Sequence, residues 1–421
     1  MRIKNLKSVI AAAVAGVSAG LAGCASTPLP PDLGCGVPGG LCAPAEPNTR
    51  ATTPLPPPPP PQAPASETRT SPVELYPGNG APQSRAQPEG KTARIALLLP
   101  LQSPGLGQAA QALRAGFMAA YERDRDGIEV DVLASGDSPE STLQVYAQAA
   151  AQNDIVIGPL ARSSVAALVN GNAVTKPTVA LNHPQNGRPL PPQLLVLGLS
   201  LEDEARQVAD WAAREHPAGR ALVLGGKAAW QQRAAGAFSA RWARLGHNNA
   251  SVELPVYDGY VDANALADLR SRLEIDRPEL VFAALDAGAL RQVRSALGTS
   301  LPTYALSAAN PGRGPGLAAP ELDGVRLIDL PWTIRPEHPQ VMVYPRPVDA
   351  DSLDMQRLYA LGIDAFQVAR TLAQQPGSNF ELDGVTGRLS LRQNNGAWSV
   401  QRTEAAAVYR DGIGYEAVNG Q

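Results

Sequence analysis

Starting at Lys91, short runs of aliphatic residues alternate with Ala-rich amphipathic stretches, and this alternation restricts the chain to very few folds. Arg94-Ile-Ala-Leu-Leu-Leu99 is apolar at nearly every position, as a strand covered on both faces requires. A helical stretch at Gln108 to Arg123 follows, then a strand at Ile128 to Leu133, a helix at Pro139 to Ala151, a strand at Asp154 to Ile157, a helix at Ser163 to Asn170 and a strand at Thr178 to Leu181. After a break near Leu197 to Ser200 a second series runs through helix Glu202 to Arg214, strand Arg220 to Leu224, helix Ala229 to Leu245 and strand Ala250 to Pro255. It continues with helix Ala263 to Leu273, strand Leu280 to Ala284, helix Gly288 to Leu297 and strand Pro302 to Ala305. Strands separated by helices pair in parallel and bury both faces. The expected architecture is α/β and two-lobed, each lobe a mostly parallel sheet flanked by helices: lobe 1 over 91–199, lobe 2 over 200–325, and a return segment over 326–421 that completes the lobes.

The residues before Lys91 have a different character. Arg2, Lys4 and Lys7 precede a small, apolar stretch from Val9 to Ala22, and Leu21-Ala22-Gly23-Cys24 closes it. A short positive region, an apolar region and small residues before a cysteine form a secretory leader (1–23) ending in a lipobox, so Cys24 is the expected lipid-modified residue. The apolar stretch falls short of the roughly 20 residues a bilayer span needs. Diacylglycerol plus an N-acyl group supplies more than one buried chain, which a stable anchor requires. Ala25 stands where Asp would favour inner-membrane retention, so in a Gram-negative cell the expected location is the outer membrane, facing the periplasm.

Eighteen of the chain's 40 prolines lie between Ala25 and Gly90, including the run Pro56 to Pro61. Such a segment lacks the apolar content to fold, and its prolines bias it towards an extended left-handed helix. At roughly 3.1 Å per residue, the 24–90 tether reaches on the order of 200 Å at full extension and about half that in practice. It serves either as a spacer or as a docking strip for a proline-binding module. Cys35 and Cys42 lie in this tether, and after export they either close a small disulfide loop or remain separate thiols.

The chain has 421 residues and is 44% hydrophobic. Without leader and tether about 330 residues remain, ample for two cores. The formal net charge of −3 becomes about −6 once the three basic leader residues are removed, and no basic stripe points to nucleic acid. No metal site is expected, because the four histidines are scattered and none lies near a cysteine. No cofactor is expected either. Gly105-Leu-Gly107-Gln-Ala-Ala110 follows a strand, but Pro100 to Pro104 intervene where a dinucleotide fold places its first glycine in the turn. G-x-S-x-G, H-E-x-x-H, Walker and C-x-x-C motifs are absent, and none of Lys91, Lys176 and Lys227 lies three residues after a serine. The chain is therefore not read as an enzyme.

In open α/β sheets the ligand crevice lies at the carboxyl ends of the strands. The candidate cleft residues there are Gln102, Ser103, Gly158, Arg162 and Asn182 in lobe 1, with Lys227, Asp286 and Ser307 in lobe 2. Trp332 and Tyr344, in the Pro-rich stretch Pro331 to Pro347, are either exposed anchors or core residues.

Arg94-Ile-Ala-Leu-Leu-Leu-Pro-Leu101, with Gly107 and Gln111-Ala-Leu-Arg-Ala-Gly-Phe-Met-Ala-Ala-Tyr121, resembles the opening of the penicillin-binding protein activator family, the LppC/LpoA-type lipoproteins. Four further stretches agree in order. They are Ile157-Gly-Pro-Leu160, Asp329-Leu-Pro-Trp332 with His338-Pro339, Arg357-Leu-Tyr-Ala-Leu-Gly-Ile-Asp-Ala-Phe366 and Gly384-Val-Thr-Gly-Arg-Leu-Ser-Leu391. The resemblance implies a type I periplasmic-binding-protein-like fold put to regulatory use. It also implies an outer-membrane lipoprotein that reaches through the peptidoglycan and stimulates a class A penicillin-binding protein without chemistry of its own. Longer family members carry an N-terminal helical-repeat domain where this chain has its Pro-rich tether. The rival expectation is a lipid-anchored receptor that captures an amino acid or similar solute for a transporter or sensor. Arg162, Lys227 and Asp286 are its obvious charged ligand groups.

Overall fold

The computed structural model describes residues 92–185, 188–312, 319–347, 352–394 and 396–410, with the backbone of 414–417. Cys24, Cys35, Cys42 and the Pro56–Pro61 run lie outside the described residues. Lobe 1 is built on β1 (Ala93–Leu99), α1 (Gly107–Asp124), β2 (Ile128–Ala134), α2 (Pro139–Gln152), β3 (Ile155–Ile157), α3 (Arg162–Asn170), β4 (Thr178–Ala180) and β5 (Leu194–Val196). These strands form one parallel sheet in the order β2-β1-β3-β4-β5. Residues 95–99 of β1 are fully buried, which is why this strand reads as an unbroken aliphatic run. α2 starts where Ser138 accepts a hydrogen bond from Ser141 N and Pro139 fills the first turn, two features that suit an unpaired helix N-terminus.

Lobe 2 begins with α4 (Leu201–Glu215), β6 (Ala221–Gly225), α5 (Ala229–Arg244) and β7 (Asn249–Glu253). A small hairpin of β8 (Val256–Tyr257) and β9 (Tyr260–Val261) follows, then α6 (Ala263–Asp276), β10 (Leu280–Ala284), α7 (Ala287–Leu297), β11 (Thr303–Ala305) and β12 (Arg326–Asp329). The hairpin turns at Asp258 and Gly259, both with positive φ (50° and 82°), the requirement of a two-residue turn between right-twisted strands. In the core Phe238 stacks on Phe282 with ring centroids 4.1 Å apart and on Trp242 at 5.5 Å. Each of these rings is fully buried, a contribution of about 2 to 3 kcal/mol apiece from removed apolar surface.

The return segment contains α8 (Pro331–Ile334), α9 (Pro339–Met342), the long α10 (Leu353–Gln374) and the meander β13 (Phe380–Gly384), β14 (Gly387–Asn394) and β15 (Ala397–Thr403). It closes with β16 (Ala405–Arg410) and β17 (Gly414–Ala417). α10 and β14 join the core of lobe 1, whereas β16 and β17 extend the lobe 2 sheet antiparallel in the order β17-β16-β12-β11-β10-β6-β7. The chain thus passes between the lobes after β5, after β12 and after β15. α1 and α10 cross so closely that two glycines set the distance. A Cβ on Gly116 would come 1.8 Å from Tyr359 O, and one on Gly362 would come 2.0 Å from Leu113 O.

One observed strand differs from the sequence expectation. β5 occupies Leu194–Val196, just before the place where the sequence shows only a break, because Pro191 and Pro192 obscure a three-residue strand. Of the two readings left open for Trp332 and Tyr344, the structure favours the core one, at 0% and 7% exposed. Arg346 stacks over the Trp332 ring at 4.0 Å and donates to its carbonyl, covering it from solvent.

Candidate interlobe site

The three passages between lobes converge on buried charge. α4 is capped by Ser200, whose Oγ accepts from Asp203 N, and its first turn carries Glu202, Asp203 and Glu204. Carboxylates there complement the helix dipole, yet Glu204 is only 3% exposed because it faces the opening of the β11 loop. Ser307 N and Ser307 Oγ each donate to the Glu204 carboxyl at 2.9 Å. Beside it lies Asp329, at the end of β12 and fully buried. Asn310 Nδ2 and Leu330 N both donate to Asp329 at 2.7 Å.

Arg357, in the second turn of α10, supplies the cation. Its Nε and Nη2 donate to the two Asp329 oxygens at 3.1 and 2.8 Å, its Nη2 also to Ser307 O at 2.8 Å, and its Nη1 to Asp354 at 2.8 Å. A helix of the lobe 1 core thereby grips the strand ends of lobe 2. Burial opposes the guanidinium charge, but the charge and hydrogen bonds of Asp329, with the charges of Glu204 and Asp354, together outweigh it and the Arg357 pKa rises. Among the described residues Glu204 has no ion-pair partner within 4.0 Å. Burial, and then the charge of Asp329, raise its pKa from 4.5 to about 8. Glu404, 6% exposed at the start of the third passage, is likewise pushed up by burial and then by Glu204. Glu204 and Glu404 are thus both shifted towards the neutral acid, whereas Asp329 is paired with Arg357.

The other passages are fastened too. Arg402 donates from Nη1 to Gly198 O at 2.9 Å, from Nη2 to Leu197 O at 2.6 Å and from Nε to Thr386 Oγ1 at 3.1 Å, joining the first passage to the third. Trp332 N donates to Val385 O at 2.9 Å, joining the second passage to the meander. Asp364 of α10, fully buried, accepts from Val385 N at 2.9 Å, from Thr386 N at 2.8 Å and from Thr386 Oγ1. The two sequence stretches Arg357–Phe366 and Gly384–Leu391 therefore bind each other. The arrangement holds two lobes in a set relation. All of Arg357's bonded nitrogens are committed to protein oxygens.

The strand-end residues read from sequence are spread over the two lobes. Gln102 is exposed, and Ser103 is buried with its Oγ accepting from Leu106 N at 2.8 Å. Gly158, Arg162 and Asn182 share the β3 and β4 ends. Gly158 has φ +119° and leaves no room for a Cβ, which would lie 2.1 Å from Leu98 O. Arg162 Nε donates to His183 O at 3.3 Å, and Asn182 donates to Leu160 O and accepts from His183 N. Lys227 is exposed, with its ammonium 5.9 Å from the Tyr257 ring centroid. Asp286 caps α7, accepting from Ala289 N at 2.9 Å. Only Ser307 enters the interlobe cluster. Glu204 and Glu404 escape a sequence reading because acidic residues next to Asp203 and Thr403 look like solvated surface. Asp329 and Arg357 belong to the family-like stretches, but spacing alone does not pair residues 28 positions apart.

Comparisons with known proteins agree with this architecture. Residues 86–412 match the family described as "LppC putative lipoprotein". A curated relative, "Penicillin-binding protein activator LpoA" of Haemophilus ducreyi, is 28% identical over 330 residues, 76% of this chain and 53% of the relative. The LpoA of Pasteurella multocida is 27% identical over 72% of this chain and 51% of its own length. The chain spans about half the length of these curated relatives. Among solved structures, the LpoA (YraM) C-domain of Haemophilus influenzae, "a regulator of PBP1A", is 25% identical with a TM-score of 0.61 over 77% of this chain and 100% of that one. A Chromobacterium violaceum structure described as "a putative branched-chain amino acid ABC transporter" is 36% identical with a TM-score of 0.63 over 75% and 99%. The fold is thus the two-lobed α/β architecture of LpoA and of solute-binding proteins, and the chain belongs to the LppC lipoprotein family.

Proposed function

We propose that this chain is a non-catalytic lipoprotein that activates a class A penicillin-binding protein from the outer membrane. The observation that carries the reading is the LppC match over 86–412, together with similarity to the complete C-domain of a protein described as a regulator of PBP1A. Cys24 as lipid anchor and the tether over 24–90 fit a body that works away from its own membrane, across the peptidoglycan. Tethering raises the local concentration wherever the linker spans the gap. The clasped lobes fit as well, since a docking surface gains affinity when it is preorganised. Incubation of the purified Cys24→Ala chain with each class A synthase of its cell tests the reading. Retention of at least one synthase supports it, and retention of none refutes it.

One observation favours a second reading, capture of a solute in the interlobe cleft. The 36% identical Chromobacterium violaceum structure carries a transporter description. Against it, Arg162, Asn182 and Asp286 spend polar atoms on neighbouring backbone. A thermal-shift screen of amino acids and wall fragments separates the two. A shift lost in Arg162→Ala or Asp286→Ala would favour the receptor.

A further inference from the structure

On lobe 2, a cavity of about 620 Å³ opens between α4, α5 and the β15–β16 junction. α4 contributes Arg206 and Arg214 to its wall, α5 contributes Arg241 and Arg244, and Arg402 lies at the junction. In a chain with 36 basic and 39 acidic residues, five guanidinium groups around one cavity are a local excess. The lining acids are Asp203, Asp210 and Glu404. Arg206 pairs with Asp203, and Arg241 with Asp210 at 2.7 Å, both partly solvent-exposed. Exposed pairs of this kind are worth little and exchange readily for a ligand anion.

Glu404 adds an independent sign of a ligand. Its side chain is buried, it lines the cavity, and its Oε2 has no hydrogen-bond partner among the described residues. An unpartnered buried polar atom is costly unless something else satisfies it. Burial, followed by the charge of Glu204, favours the neutral acid at this position, and a neutral acid offers a proton to an incoming oxyanion instead of repelling it.

The length of the site selects the ligand. Arg206, Asp210 and Arg214 are spaced four residues apart on one face of α4, so the charged row extends about 12 Å. That is the reach of three to four extended peptide residues at about 3.3 Å each, and too long for one compact anion. The cations are all arginines, whose planar forks match carboxylates. We propose that this groove binds a short, extended acidic peptide, its carboxylates taken by the arginines of α4 and α5 and one of them meeting Glu404 at the floor.

Isothermal titration calorimetry of the full Cys24→Ala chain with tetraglutamate tests this, with tetraglutamine and inorganic pyrophosphate as comparison ligands. The expected result is saturable 1:1 binding of tetraglutamate, none of tetraglutamine, and binding weakened about tenfold or more in R206Q/R244Q. R114Q, an exposed substitution on lobe 1, should bind as the parent does. Circular dichroism melts of the double variant control for folding. No tetraglutamate binding, an unchanged affinity in R206Q/R244Q, or tighter binding of pyrophosphate would each overturn the proposal. The readout is direct binding to the isolated chain, so it stands or falls separately from synthase activation.

Discussion

Arg357 of α10 and Asp329 of β12 meet at 2.8 Å with the carboxylate fully buried, so one ion pair links the core of lobe 1 to the sheet of lobe 2. Removing one partner leaves the other charge stranded in a low dielectric, whereas replacing both removes the desolvation penalty too. Arg357→Met should lower the unfolding free energy by about 3 to 5 kcal/mol, and R357M/D329L by distinctly less. Urea denaturation of the two variants decides this. Equal losses would mean that the pair is not a coupled unit.

Glu204 has a folded pKa of about 8 against an ordinary 4.5. Between those values the folded chain keeps a proton that the unfolded chain releases. Its contribution to stability is therefore complete below pH 4.5 and is lost as pH rises through 8. Glu204→Gln keeps the shape and removes the titration. The variant's advantage in melting temperature over the parent should be larger at pH 8.5 than at pH 5. A pH-independent difference would show that Glu204 titrates normally.

Gly116 and Gly362 allow α1 and α10 to touch backbone to backbone. A methyl group at either position forces the helices apart, and the rings of Phe117 and Phe366, 5.4 Å apart, must follow. Gly362→Ala should cost about 3 kcal/mol or more, even though alanine favours an isolated helix by about 1 kcal/mol over glycine. Denaturant titration checks the sign. A stabilised variant would contradict the packing.

Asp364 receives three hydrogen bonds from Val385 and Thr386. Asparagine in its place turns one acceptor into a donor facing donors. Asp364→Asn should lose about 2 to 3 kcal/mol and loosen the meander from α10. Hydrogen exchange at Val385 and Thr386 should accelerate in the variant. Unchanged protection there would show that other contacts hold the turn.

The strand–helix alternation is legible because the central strands of a doubly covered sheet must be apolar along most of their length, as in residues 95–99 and Leu280–Ala284. The meander β13–β15 is not, because one face of it is solvated and its strands carry Arg388, Arg392 and Gln401 among their apolar positions. The site is less legible than the fold. Glu204 sits in an acidic helix start that resembles any solvated N-terminus, and its burial depends on Ser307, 103 residues away. Asp286 shows the reverse. A carboxylate at a strand end suggests a ligand group, but in the fold it serves the amides of the helix it begins.

The role proposed for this chain is activation of a class A penicillin-binding protein through contact. The most direct measurement is peptide cross-linking by the purified synthase acting on lipid-linked wall precursor, with and without the Cys24→Ala chain. The expected result is a dose-dependent rise in cross-linked product that saturates near one chain per synthase. Cross-linking unchanged for every class A synthase of the cell would contradict it.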